Sequence, residues 1–179
     1  MRVITGLAKG RRLIAPKGLA TRPMLDRIKE NVFNIISTRI EGAAVLDVFA
    51  GSGSLGVEAI SRGAARAVFI DAAQEACEVI AANTRACGFA AESTVIRGQL
   101  PGPLRGQRQE FDLIFVDPPF RISVSELAEV LEALRHLLAD KGLLILQTTT
   151  VMNVPEFTGL ALHDSRKYGQ SLITMYKRR

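Results

Sequence analysis

Leu46-Asp47-Val48-Phe49-Ala50-Gly51-Ser52-Gly53-Ser54-Leu55-Gly56 decides the fold. An apolar run ends in a glycine turn, and a helical stretch near 54–62 follows it. The turn satisfies GxGxxG, in which glycines allow a tight reversal and bring backbone N–H groups close to a ligand. Working outward, Ala43–Phe49, Ala67–Asp71, Ser93–Arg97, Asp112–Asp117 and Leu143–Gln147 are short apolar runs, the pattern of strands buried on both faces. Helical stretches near 54–62, 73–87 and 124–139 lie between them; Val124, Leu127, Val130, Leu131, Leu134 and Leu138 share one face of the last. This alternation predicts an α/β fold, a Rossmann-like, doubly wound and mostly parallel sheet with helices on both sides. Leu160–His163 and Leu172–Tyr176 predict a closing hairpin around Tyr168-Gly169.

Asp71 ends the second strand, 20 positions after Gly51, placed to accept hydrogen bonds from ribose hydroxyls. Those two signals alone would suit a nicotinamide dinucleotide. Asp47, four residues before Gly51, argues otherwise, because a carboxylate repels pyrophosphate and suits a cationic amino group. The 179 residues leave little room for the second domain that brings substrate to nicotinamide. No Lys-Ser or Lys-Thr follows the glycines, so a P-loop is absent. The ligand that fits is S-adenosylmethionine (SAM), with an amino-acid end, a ribose and no phosphate.

Asp117-Pro118-Pro119-Phe120 ends the fourth strand. In a doubly wound sheet that end lines the same crevice as the glycine turn. The prolines fix the backbone and remove N–H donors, which frees the Pro118 carbonyl to accept. Asp117 is a second acceptor, and Phe120 offers a flat face for a base. Two acceptors and a ring suit a planar group that carries an exocyclic amine.

Charge is unevenly placed. Residues 1–39 carry nine basic side chains (Arg2, Lys9, Arg11, Arg12, Lys17, Arg22, Arg27, Lys29, Arg39) against Asp26 and Glu30, a balance of +7. The other 140 residues balance at −2, so all of the net +5 sits at one end. Such an end suits a polyanion through counterion release, although a solvated basic face explains it as well. Within it, Arg2–Gly6 and Arg11–Ala15 read as a hairpin around Lys9-Gly10. Thr21-Arg22-Pro23 opens a helix along which Leu25, Ile28, Val32, Ile35 and Ile36 recur. We therefore expect one domain, a basic hairpin-and-helix appendage over 1–40 and a SAM-binding core over 41–179.

The composition, 47% hydrophobic and 23% charged, excludes disorder and a disulfide miniprotein. No apolar run approaches the roughly 18 residues of a membrane helix. The N-terminus lacks a signal stretch, so a cytoplasmic protein without membrane contact is expected. Cys77 and Cys87 have no metal or redox spacing, and His136 and His163 are isolated, so no metal is expected.

The sequence resembles the class I SAM-dependent methyltransferases, and specifically the RsmD-type 16S ribosomal RNA guanine-N2 methyltransferases. The resemblance runs through Arg2-Val3-Ile4-Thr5-Gly6, Gly10-Arg11-Arg12-Leu13, Thr21-Arg22-Pro23, Asp26-Arg27 and Lys29-Glu30-Asn31-Val32-Phe33-Asn34. It continues through Leu46–Gly56 with Glu58-Ala59, Phe115–Phe120 and Tyr168-Gly169. It implies cofactor contacts by Asp47, Phe49, Ala50, Gly51, Ser52, Gly53, Asp71, Gln99 and Asp117, with Asp71 on the ribose. It implies Asp117, Pro118, Pro119 and Phe120 as catalytic residues at the target guanine. Lys9, Arg11, Arg12, Arg22 and Arg27 would bind nucleic acid, with 16S rRNA or a small-subunit assembly intermediate as partner of a monomeric enzyme. Ala73 departs from the family's second acidic residue, and Gly98-Gln99 stands where Asp or Asn would meet adenine. Two rival readings stay open: another amine acceptor, such as adenine N6 in DNA or RNA or a protein glutamine, and a non-catalytic RNA-binding module.

Overall fold

The computed structural model describes residues 1–16, 26–152, 154 and 158–179. Seven strands form one sheet: β1 (Ala44–Val48), β2 (Arg66–Asp71), β3 (Ser93–Arg97), β4 (Phe111–Val116), β5 (Leu138–Thr149), β6 (Leu160–Tyr168) and β7 (Ser171–Arg178). Their order is β3-β2-β1-β4-β5-β7-β6. The first five run parallel, and β7 pairs antiparallel with both β5 and β6. The expected doubly wound α/β sheet and its terminal hairpin are therefore present. The strand order reverses between β1 and β4, which opens a crevice beyond their carboxyl ends.

Among the described residues, four α-helices cover the sheet: α1 (Asp26–Ile35), α2 (Ser54–Ser61), α3 (Gln74–Cys87) and α4 (Val124–Leu134). Ile28, Val32 and Phe33 of α1, Leu55 of α2 and Ile80 of α3 join Val45, Phe69 and Phe115 in one core layer. Leu127, Leu131 and Leu134 of α4 pack with Leu46, Val116 and Leu146 in the layer beneath. Strand alternation thus sorts side chains between the two layers. Ser123 caps α4 reciprocally: its hydroxyl accepts from Glu126 N–H, and the Glu126 carboxylate accepts from Ser123 N–H.

One expectation needs correcting. The helix expected to reach 139 stops at Leu134, and Leu138 instead opens β5 opposite Phe111. The residues Leu134, Leu137 and Leu138 suit either period, and pairing with the buried β4 decides between them. The expected N-terminal hairpin is present but short: Arg2 and Arg12 form an antiparallel bridge, Val3 N–H donates to the Arg11 carbonyl, Gly10 N–H to the Val3 carbonyl and Leu13 N–H to the Met1 carbonyl, without extended strands. Other backbone donors of the segment reach α2. Ile4 and Thr5 N–H groups donate to the Glu58 carboxylate, Leu7 N–H to the Ser61 carbonyl and Ala8 N–H to Ser61 Oγ. The segment lies across α2, and this is why all eight residues of that helix are buried.

Gly6 allows the approach: it has φ +87°, and a Cβ there would stand 1.7 Å from the Ser61 carbonyl oxygen. Asn83 of α3 holds the next stretch, accepting from Ile14 N–H and donating to the Ile14 and Ser52 carbonyls. Lys29 is fully buried; its Nζ donates to the Arg2 carbonyl at 2.8 Å and lies 3.6 Å from Glu58 Oε2. Glu58 also binds Arg62 Nε at 2.8 Å, and the Arg62 guanidinium lies over the Phe33 ring. Lys29 therefore leaves the set of cations that a polyanion can reach.

Candidate active site

The site begins where β1 ends. Phe49 and Gly51 both have positive φ, +57° and +56°, and Gly53 follows at +74°, so the chain reverses within five residues. Gly53 N–H donates to the Ala50 carbonyl and closes the turn. Asp71, on the neighbouring strand, accepts from Gly51 N–H through one oxygen and from Ala73 N–H through the other. It shapes the glycine turn and retains lone pairs on both oxygens.

Asp47 is 1% exposed and accepts from Gly56 N–H at 3.0 Å. It thereby caps the first turn of α2, for which Gly53 offers no side chain. Burial pushes its carboxyl well above the ordinary range; the Gly56 N–H opposes this, and nearby Asp117 and Asp71 add to it. A cation beside Asp47 would offset that desolvation. Ser52 is buried and faces the N-terminal segment, its hydroxyl donating to Met1 Sδ at 3.3 Å.

Two pockets flank this turn. One is lined by Phe49, Gln99–Pro101, Pro119, Arg121 and Ile122 with the α4 residues Glu126, Glu129 and Val130, so Phe49 and Gln99 share one pocket of mixed polarity. The other lies at the ends of β4 and β5, lined by Asp117–Phe120, Gln147–Thr149 and Met152. There burial raises the Asp117 carboxyl to about 7. Phe120 is 56% exposed, a large ring left bare at the pocket mouth.

The structure thus brings Asp47, Phe49–Gly53 and Asp71 together at one turn and Asp117–Phe120 beside it. Lys9, Arg11 and Arg12 are exposed on the N-terminal segment, while Arg27 sits on α1; Arg22 lies outside the described residues. Three features escaped the sequence reading. Gln147 in the second pocket read simply as the end of an apolar strand, and Thr148 lay just beyond it. Asn83 lay within the helical stretch 73–87 with no pattern to single it out. Glu58 had a visible signal, a lone carboxylate within the apolar run Leu55–Ile60. Among the described residues, no cluster of His, Cys, Asp or Glu could hold a metal ion, and no helix is long and apolar enough to cross a membrane.

Comparison with known proteins places this geometry. The family model described as conserved hypothetical protein 95 matches residues 1–177. The chain is also 32% identical to ribosomal RNA small subunit methyltransferase D of Escherichia coli (strain K12), over 99% of this chain and 90% of that one. The chain belongs to this family, the RsmD family. A family-like fold recurs in a hypothetical protein of Thermus thermophilus, 28% identical with a TM-score of 0.84 over 99% of each chain. More distantly, the RsmD-family fold is shared with a putative methyltransferase solved in complex with SAH, at 18% identity and a TM-score of 0.71, over 87% of this chain and 50% of that one. The fold is that of the class I methyltransferases.

Proposed function

We propose that this protein is a SAM-dependent methyltransferase that transfers a methyl group to the exocyclic N2 of a guanine in 16S rRNA. The observation that carries the reading is one pocket in which Asp117 and the bare Phe120 ring meet beside the glycine turn. The relative named ribosomal RNA small subunit methyltransferase D supports the rRNA substrate.

The residues present fit SAM. The Asp47 carboxylate is buried where a cationic amino group would offset its desolvation. The positive-φ turn at Gly51 and Gly53 lets backbone approach the amino-acid end. Asp71 has free lone pairs for ribose hydroxyls, and the pocket that Phe49 and Gln99 share accepts a flat ring. Ser52 contributes backbone only, because its side chain points away. Bound SAM supplies a methyl group on a sulfonium that is already a strong leaving group.

The chain's own task is to hold a poor nucleophile. A guanine N2 lone pair delocalises into the ring. Asp117 and the Pro118 carbonyl accept its two hydrogens and so favour a pyramidal nitrogen aimed at the methyl group. Phe120 replaces the stacking neighbour that a flipped base leaves behind. When the new N–C bond forms, N2 must shed one proton. The Asp117 carboxylate, with a pKa of about 7, is matched to take it at neutral pH. Lys9, Arg11, Arg12 and Arg27 supply phosphate contacts from the basic end.

The acceptor class is tested by offering labelled SAM with purified 16S rRNA, duplex DNA and a protein extract side by side. Label in rRNA alone is the expected result. Label in DNA or protein would replace the substrate, and failure of SAM to bind would overturn the reading entirely.

A further inference from the structure

The inference drawn here rests on the reading of the Asp117–Phe120 pocket as the target-base site. Among the described residues, six buried side-chain atoms lack a hydrogen-bond partner, and two of them, Gln147 Oε1 and Thr148 Oγ1, belong to residues lining this pocket. Val116 pairs with Leu146, so position 147 lies beside Asp117 in the parallel register. Alternation puts both on the side of Phe115 and Ile145, in the upper core layer, whereas Thr148 follows Leu146 to the other face. Gln147 is therefore the polar neighbour of Asp117.

Nothing within the chain calls for an amide there. Gln147 follows Leu143 and Ile145 on its own face and stands opposite Ile173 on β7. An apolar side chain would fill that place without the cost of an unpaired buried oxygen. Nearly all such groups in folded proteins have partners, so one that lacks a partner inside a pocket points to a ligand.

The chemistry of a held base says which atom. If N2 sits at Asp117, the adjoining ring atom along the same edge is N1. In guanine N1 carries a hydrogen and needs an acceptor; an adenine held by its N6 would present a bare N1 acceptor instead. We propose that Gln147 Oε1 accepts the N1–H of the target guanine, and that this contact fixes the base edge while Asp117 and Pro118 hold the amine. Gln147 is then a specificity-determining residue for the base.

An amide can turn and present its NH₂ group, so the decisive variants are Gln147→Leu, which removes the contact, and Gln147→Glu, which as the ionised carboxylate only accepts. Gln147→Glu is assayed at about pH 9, where its new carboxylate and Asp117 are both ionised. The substrate pair is an rRNA fragment carrying either guanosine or 2-aminopurine riboside at the target. The latter keeps the 2-amino group but has no N1–H. Wild-type enzyme is expected to favour guanosine, and Gln147→Leu to lose about 10- to 100-fold in kcat/KM on guanosine with little change on 2-aminopurine. Gln147→Glu should recover most of that loss on guanosine only. SAH affinity, measured by calorimetry, should match wild type in both variants, which shows that the fold is intact. A guanosine-to-2-aminopurine ratio unchanged in Gln147→Leu overturns the proposal while leaving the proposed function standing. A wild-type enzyme that leaves the guanosine fragment unmethylated and methylates another acceptor overturns both.

Discussion

Asp117 carries the sharpest consequence at the scale of one residue. Burial holds its proton up to about pH 7, and only the carboxylate form can accept both from the amine and later from the nitrogen. Single-turnover rates should therefore rise about tenfold per pH unit below 7 and level off above it. Asp117→Asn should flatten that profile. Asp117→Ala should lower kcat by about 100-fold or more while SAM affinity stays within a few-fold of wild type; near-native turnover would remove Asp117 from the chemistry. The same shift has a stability sign. The folded carboxyl titrates near 7 and the unfolded one near its ordinary 3.8, so the folded state binds the extra proton between these values. Asp117 therefore subtracts stability as pH rises through that window, and Tm measured across it should fall less in Asp117→Asn. Asp47 behaves differently, because its carboxylate caps α2 and, in the proposed reading, would also meet the cofactor's cation. Asp47→Asn should weaken SAM binding by about 10- to 100-fold, read by calorimetry.

Elements show what the sequence made legible and what it hid. The buried runs of β1, β2, β4 and β5 were readable because a strand buried on both faces needs an unbroken apolar run, and the glycine turn marked the crevice. β3 was expected to be buried as well, but it lies at the sheet edge and none of its residues is fully buried. The start of β5 was not readable, since Leu134, Leu137 and Leu138 satisfy two periods at once. The N-terminal segment was legible only in part. Its alternation gave the pairing of its own two arms, but its further partners, Glu58, Ser61 and Asn83, lie more than 50 residues away in the chain. No local pattern shows such a contact. Lys29 was counted among the free cations for the same reason, because its partner Glu58 is on another helix. Glu58 is the hub of this packing: it receives Ile4 and Thr5 N–H groups, Arg62 and Lys29. Removing it strands a buried cation, lowered in pKa by burial and supported chiefly by Glu58, together with two backbone donors. Glu58→Ala should cost about 3–5 kcal/mol in urea unfolding. A loss below about 1 kcal/mol would show that the segment is held by apolar packing alone.

For the whole molecule, charge and chemistry are separated along the chain but joined in space. The candidate crevice carries Asp47, Asp71 and Asp117, while the cations Lys9, Arg11, Arg12 and Arg27 precede the sheet in sequence. Val3, Leu13 and Phe33 share a core layer with Val45 and Phe69, so the basic end is anchored on the same core that carries the crevice. We read the chain as one domain on that ground. Phosphate affinity should then reside in the basic end. Combining Lys9→Ala, Arg11→Ala and Arg12→Ala should reduce the slope of log affinity for 16S rRNA against log salt by up to about 2. An unchanged slope would place the RNA path elsewhere. The central claim, methylation of a guanine amine, is tested most directly by transfer from labelled SAM to 16S rRNA and to small subunits from cells lacking their own enzyme, followed by nucleoside analysis. Labelled N2-methylguanosine at a single position is the predicted result. Label in N6-methyladenosine, or no label in either substrate while SAM remains bound, would contradict it.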